Sequence, residues 1–108
     1  MPNVTVYISS EAMPAAEVLE SLAERCTFFC TSTLRAAFEN VHVIFVEVRH
    51  GRGHPVFVEV LLRDETFRPA SVMDRFVQQV DGVFRQQTGL VARIRCFAFP
   101  APDVHALN

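Results

Sequence analysis

The chain has 108 residues, half of them apolar and ten of them Phe, and a formal net charge of −2 at pH 7. That length fits one domain, and the mild acidity excludes the basic footprint of a nucleic-acid-binding module. Apolar runs fall short of the ~20 residues a membrane span requires, and the start lacks the basic and apolar regions of a secretory signal, so a cytoplasmic protein touching neither membrane nor nucleic acid is expected.

The first predicted element is NVTVYIS, residues 3–9, where Val4, Val6 and Ile8 share one face of a strand and Asn3, Thr5 and Tyr7 the other. Pro14 suits a first helical turn. Val18, Leu19, Leu22, Cys26, Phe29 and Cys30 follow at helical spacing, so a helix is predicted to about Thr31. A second strand, VHVIFVEVR over residues 41–49, is apolar on both faces until its end. The segment HGRGHP is a turn, and VFVEVLL, residues 56–62, is a third strand. A second helix is predicted from Ser71, with Asp74 in its first turn favouring the dipole and Gly89 as its stop. Its apolar stripe is Val72, Met73, Phe76, Val77, Val80, Val83 and Phe84. Residues 91–99, VARIRCFAF, form a fourth strand, and the tail is a loop.

The order is therefore βαβ–βαβ, about fifty residues per half. It predicts one α+β domain over residues 1–108, with two helices covering one face of a four-stranded mixed sheet. The other face should carry Thr5, Tyr7, Phe57, Glu59 and Leu61 with residues of the outer strands. That mixture is too apolar for open water and too polar for a sealed core, so neighbouring copies of the chain are expected to cover it.

Three cysteines, Cys26, Cys30 and Cys96, read as small apolar core residues rather than a thiolate metal site, since CxxC spacing is missing. The stretch RHGRGHP brings His50 and His54 near two arginines, but a flexible turn does not supply the converging ligands a metal needs. No metal and no cofactor are implied. The chain has no Lys, so all ten of its Lys-or-Arg cations are Arg, and an arginine alone carries less weight as a recognition signal.

The chemically unusual residue is Pro2, placed directly before the first strand. One reading is that the first residue of an edge strand tolerates proline. The other is that removal of Met1, favoured by a small second residue, leaves Pro2 with a free secondary amine. In water such an amine is protonated. Burial in an apolar pocket and nearby cations both disfavour the ammonium form and make it a general base suited to neutral pH.

The combination of MPNVTVYIS, an amphipathic helix, NVHVIFVEV and a second βαβ half resembles the tautomerase superfamily, which includes the macrophage migration inhibitory factor, oxalocrotonate tautomerase and carboxymethyl-hydroxymuconate isomerase types. The stretches STLRAAF and VEVL are similar to those of a small bacterial branch of it. The resemblance covers nearly the whole chain in element order. It implies a homotrimer with active sites near subunit boundaries, and a tautomerase-like isomerase that moves a proton on a small enolisable carboxylate with Pro2 as general base. By the same resemblance Arg35 falls within about a residue of a basic pocket position, and Arg93 and Arg95 match two polar positions that a neighbouring subunit presents to the ligand. Leu62 matches a position whose backbone amide lines the pocket. The i, i+2 spacing independently puts Arg93 and Arg95 on one face of a strand. His42 stands where one type carries an arginine, and Arg93 where another carries a tyrosine. Neither substrate is therefore implied, and related decarboxylase or dehalogenase chemistry stays open.

Each position also has a structural reading. Arg35 serves a helix C-terminus as a cation, and Arg93 and Arg95 pair with Glu47 or Glu59 across an interface. The alternative function is a non-catalytic small-ligand module of tautomerase-like or ferredoxin-like fold. Strand order separates these folds. The tautomerase sheet pairs strands one and two, and three and four, in parallel, whereas the ferredoxin-like sheet sets strand four beside strand one.

Overall fold

The computed structural model describes residues 1–108. Strand β1 runs over Asn3–Ser9, helix α1 over Ala16–Ser32, β2 over His42–Val48, β3 over Val56–Arg63, helix α2 over Ala70–Thr88 and β4 over Ala92–Phe99. Single 3-10 turns occupy Ser10–Ala12, Phe38–Asn40 and Ala101–Asp103.

The sheet order is β2-β1-β3-β4. β1 pairs parallel with β2 and antiparallel with β3, and β3 pairs parallel with β4. Strand β4 lies beside β3 and not beside β1, which rules out the ferredoxin-like arrangement and fixes the tautomerase one. The two βαβ halves meet at the antiparallel β1–β3 seam, where Val4 opposes Val60 and Val6 opposes Val58.

Alternation in the central strands decides which face receives the helices. Val4, Val6, Ile8, Val56, Val58, Val60 and Leu62 point to one side and are buried. Leu22, Cys26, Phe29 and Cys30 of α1 and Phe76, Val80, Val83 and Phe84 of α2 close over them. Burial of each such large side chain contributes about 1.5–3 kcal/mol. Thr33 Oγ1 donates to Gln79 Oε1 at 2.7 Å and ties the end of α1 to α2. All three cysteines have their thiols pushed up by burial, Cys26 and Cys30 to about 12 and Cys96 to about 11. They behave as apolar filling, as their positions in the pattern suggest.

Two helix starts differ from expectation. Helix α1 begins at Ala16, and Pro14 lies before its Ala15 cap, because the Ser10–Ala12 turn delays the helix. Helix α2 begins at Ala70 behind Pro69, so Asp74 falls beyond the first turn and the dipole gains no acidic partner there. Gly89 ends α2 as expected, in the left-handed conformation (φ 71) with its N–H on the Arg85 carbonyl at 3.0 Å.

The opposite face of the sheet is open. Tyr7 stacks on its cross-strand neighbour Phe57 at 5.9 Å, and Ile44 and Phe97 are 55% and 47% exposed at the two sides. No helix is long and apolar enough to cross a membrane.

Candidate functional site

Pro2 is buried at the start of β1. Its carbonyl accepts the His42 N–H at 3.1 Å, which extends the parallel β1–β2 pairing by one link. Continuing the antiparallel register from Asn3 opposite Leu61 sets Pro2 across from Leu62, whose side chain is fully buried in the core. Pro2 thus shares the helix-covered face with Val4 and Val6, at the end of the sheet where the end of α1 arrives.

Helix α1 closes by an abrupt reversal. The Leu34 N–H returns to the Phe29 carbonyl at 3.3 Å and the Ala36 N–H to the Cys30 carbonyl at 3.0 Å. Between them Arg35 takes the left-handed conformation (φ 57) that such endings usually give to glycine. A non-glycine residue there costs about 1–2 kcal/mol, and strain of this kind gathers where function needs a particular side chain.

The Arg35 guanidinium lies over the Phe67 ring, 4.7 Å from its centroid, in the segment joining β3 to α2. The same ring takes the Arg68 guanidinium at 5.2 Å. Arg68 is itself buried, with Nε donating to the Leu34 carbonyl at 2.8 Å and Nη1 to the Arg63 carbonyl at 2.7 Å. Burial draws its pKa down from the usual arginine value, and neighbouring Arg63 acts in the same direction.

These residues enclose a cavity of about 290 Å³ lined by Met1, Arg35, Arg63, Glu65, Arg68 and Asn108 among others. Among the charged side chains that line it, three are arginines and one is a glutamate, so their balance favours an anion. Charge-assisted, paired hydrogen bonds from arginine suit a carboxylate ligand. Met1, Asn40, Ala106 and Asn108 also border a wider groove of about 590 Å³ that runs onto the open sheet face past Asn3, Thr5, His42 and Leu61. The first residue and the carboxyl-terminal tail therefore form the wall between cavity and groove.

Of the residues singled out in the sequence, Arg35 comes to the Pro2 end of the sheet and Leu62 lies across from Pro2. Arg93 and Arg95 do not join them. They stand exposed side by side on the edge strand β4, opposite Phe57 and Glu59, and line neither cavity nor groove. Arg95 makes no ion pair with Glu59 despite its register, and its Nη1 donates instead to the Ile94 carbonyl at 2.8 Å. His50 and His54 remain in an exposed turn. The sequence reading missed Arg63, Phe67 and Arg68. Their signal was faint: a strand ending in arginine directly after Leu62, and a second arginine five positions on.

This combination, a β2-β1-β3-β4 sheet of two βαβ halves with a proline leading β1, has the fold of the tautomerase superfamily. No family model and no curated protein matches the sequence. Solved structures match it throughout. A fused 4-OT, described as an asymmetric trimer, superposes with a TM-score of 0.84 at 18% identity, covering 97% of this chain and 92% of that one. A member of the cis-3-chloroacrylic acid dehalogenase family gives 0.82 at 15% identity, covering 97% and 80%. A macrophage migration inhibitory factor-like protein from Entamoeba histolytica gives 0.78 at 10% identity, covering 97% and 94%. At these identities the likeness is one of fold.

Proposed function

We propose that this chain, once relieved of Met1, is a tautomerase-like isomerase that moves a proton on a small enolisable carboxylate with Pro2 as general base. The observation that carries the reading is a buried Pro2 whose covalent neighbour, Met1, lines a cavity shared with Arg35, Arg63 and Arg68. Loss of Met1 turns the Pro2 nitrogen from an amide into a secondary amine and enlarges the cavity beside it. Burial and the cations both hold that amine neutral. Arg35 takes the substrate carboxylate, and the remaining positive charge steadies the enolate as it develops. The proton leaves the carbon next to the carbonyl for the Pro2 nitrogen and returns from it to another carbon, so the step needs no cofactor.

The open sheet face supports a homotrimer as the working form, and the structural neighbours include proteins described as trimers. In such an assembly Arg93 and Arg95 of one subunit reach the ligand of the next, and the Leu62 amide lines the pocket from within. A second reading, a carboxylate-binding module without catalysis, keeps the guanidinium cavity and retains Met1 on its wall.

Intact mass and proton exchange separate the two. The enzyme reading expects a chain lighter by one methionine that exchanges the α-protons of a panel of 2-oxo acids in deuterated water, as followed by NMR. Pro2→Ala should slow the exchange by at least about a hundredfold, the scale of a lost general base. Exchange that survives the substitution unchanged removes Pro2 from the chemistry, and a retained Met1 favours the binding module.

A further inference from the structure

We propose that Phe67 and Arg68 are positioning residues that hold the Arg35 guanidinium at the mouth of the cavity beside Pro2, so that the ligand's carboxylate meets a fixed fork rather than a swinging side chain. The inference rests on the reading of that cavity as a carboxylate site.

Arg35 sits exposed at the end of α1, a place where an arginine usually samples many rotamers. Here two devices restrict it. The Phe67 ring gives its guanidinium an aromatic face 4.7 Å away, and a planar cation rests on such a face with a defined orientation. Phe67 in turn has the Arg68 guanidinium 5.2 Å from its centroid, so one half-buried ring serves two cations. The second device is in the backbone. Arg68 Nε donates to the carbonyl of Leu34, the residue directly before Arg35, while Nη1 donates to the carbonyl of Arg63, which ends β3 and lines the same cavity. One buried guanidinium thereby ties the left-handed Arg35 turn to the end of β3. The fixed turn sets where the Arg35 side chain starts, and the ring sets where it ends.

The single Phe67 ring thus carries both guanidiniums, Arg35 at 4.7 Å and Arg68 at 5.2 Å from its centroid. Holding both in place before the ligand arrives moves the ordering cost from binding to folding, which raises affinity without any added contact.

The test uses the full chain with succinate as probe, titrated calorimetrically at low ionic strength. Phe67→Leu is expected to weaken succinate binding about fivefold, the measure of one lost cation–π contact. Phe67→Trp keeps the aromatic face and should bind within about twofold of the parent chain. In an Arg35→Ala background Phe67→Leu should bring no further loss. The Arg35 Nε–H resonance should be displaced by the ring current in the parent chain and revert in Phe67→Leu, a change that loss of stability alone does not produce. If Phe67→Leu binds as tightly as the parent, or weakens binding equally without Arg35, the positioning role is overturned while the carboxylate site stands. If the parent chain does not bind succinate, or Arg35→Ala binds it undiminished, the carboxylate site itself is overturned.

Discussion

The His42 N–H donates to the Pro2 carbonyl at 3.1 Å, so the residue that begins β2 anchors the residue that leads β1. The anchor uses the carbonyl side of Pro2 and leaves its nitrogen side to Met1. Excision of Met1 therefore costs the sheet no hydrogen bond. Preparations with and without Met1 should melt within about 2 °C of each other, a difference well under 1 kcal/mol for a domain of this size. A drop of more than about 5 °C on losing Met1 would show that the first residue is part of the fold rather than a removable plug.

Arg35 carries a backbone cost in its left-handed conformation. Arg35→Gly and Arg35→Ala both remove the guanidinium, but only glycine accepts a φ of 57 without strain. The glycine variant should be the more stable of the two by about 1 kcal/mol in urea unfolding. Both should lose succinate affinity to the same extent. Equal stability of the two variants would mean that the left-handed turn relaxes in solution.

The open sheet face predicts self-association. Ile44 and Phe97 lie exposed on opposite edge strands, with the stacked Tyr7–Phe57 pair on the same face between them. The parent chain should sediment at three times its 12.2 kDa mass. Ile44→Glu, which places a charge on that face without touching the helix-side core, should shift the population to monomer. A parent chain that sediments as a monomer would remove the need for a covered face.

The thiols give a pH dependence with a definite sign. Burial raises Cys26 and Cys30 from an ordinary value of 9.0 to about 12, and Cys96 to about 11. Below pH 9 the thiols are protonated in both folded and unfolded chains, and the contribution to stability is complete. Above it the unfolded chain ionises first, so stability falls as pH rises from about 9 toward 12. Denaturant midpoints at pH 8 and pH 10.5 should show this loss, and a Cys26→Ala, Cys30→Ala variant should show less of it. At pH 8 the native chain should resist alkylation at Cys26 and Cys30. Rapid labelling there would contradict their place in the core.

Much of the fold was legible because alternation and helical spacing are local. Val4, Val6 and Ile8 had to share a face, as did Phe76, Val80, Val83 and Phe84, whatever the rest of the chain did. Glycine at position 89 announced a helix end for the same reason. The helix starts were less legible. Pro14 is compatible with a first turn but does not demand it, and the short turn before it took precedence. The site was legible only in part. Pro2 stood out by its chemistry, and Arg35 by resemblance. Nothing in a one-dimensional pattern marks that Arg63, Phe67 and Arg68 will be brought to Arg35, about thirty residues away.

The sequence by itself determined the elements, the apolar face of each and the βαβ–βαβ order, because those follow from periods of two and of 3.6 residues within single segments. The tertiary structure decided that β1 lies between β2 and β3, and that the end of α1 meets the segment after β3 at the buried proline. Both depend on which surfaces pack together across the chain. Charge convergence is likewise a property of packing: three arginines spread over more than thirty positions line one cavity only once the backbone has folded them to a common end of the sheet.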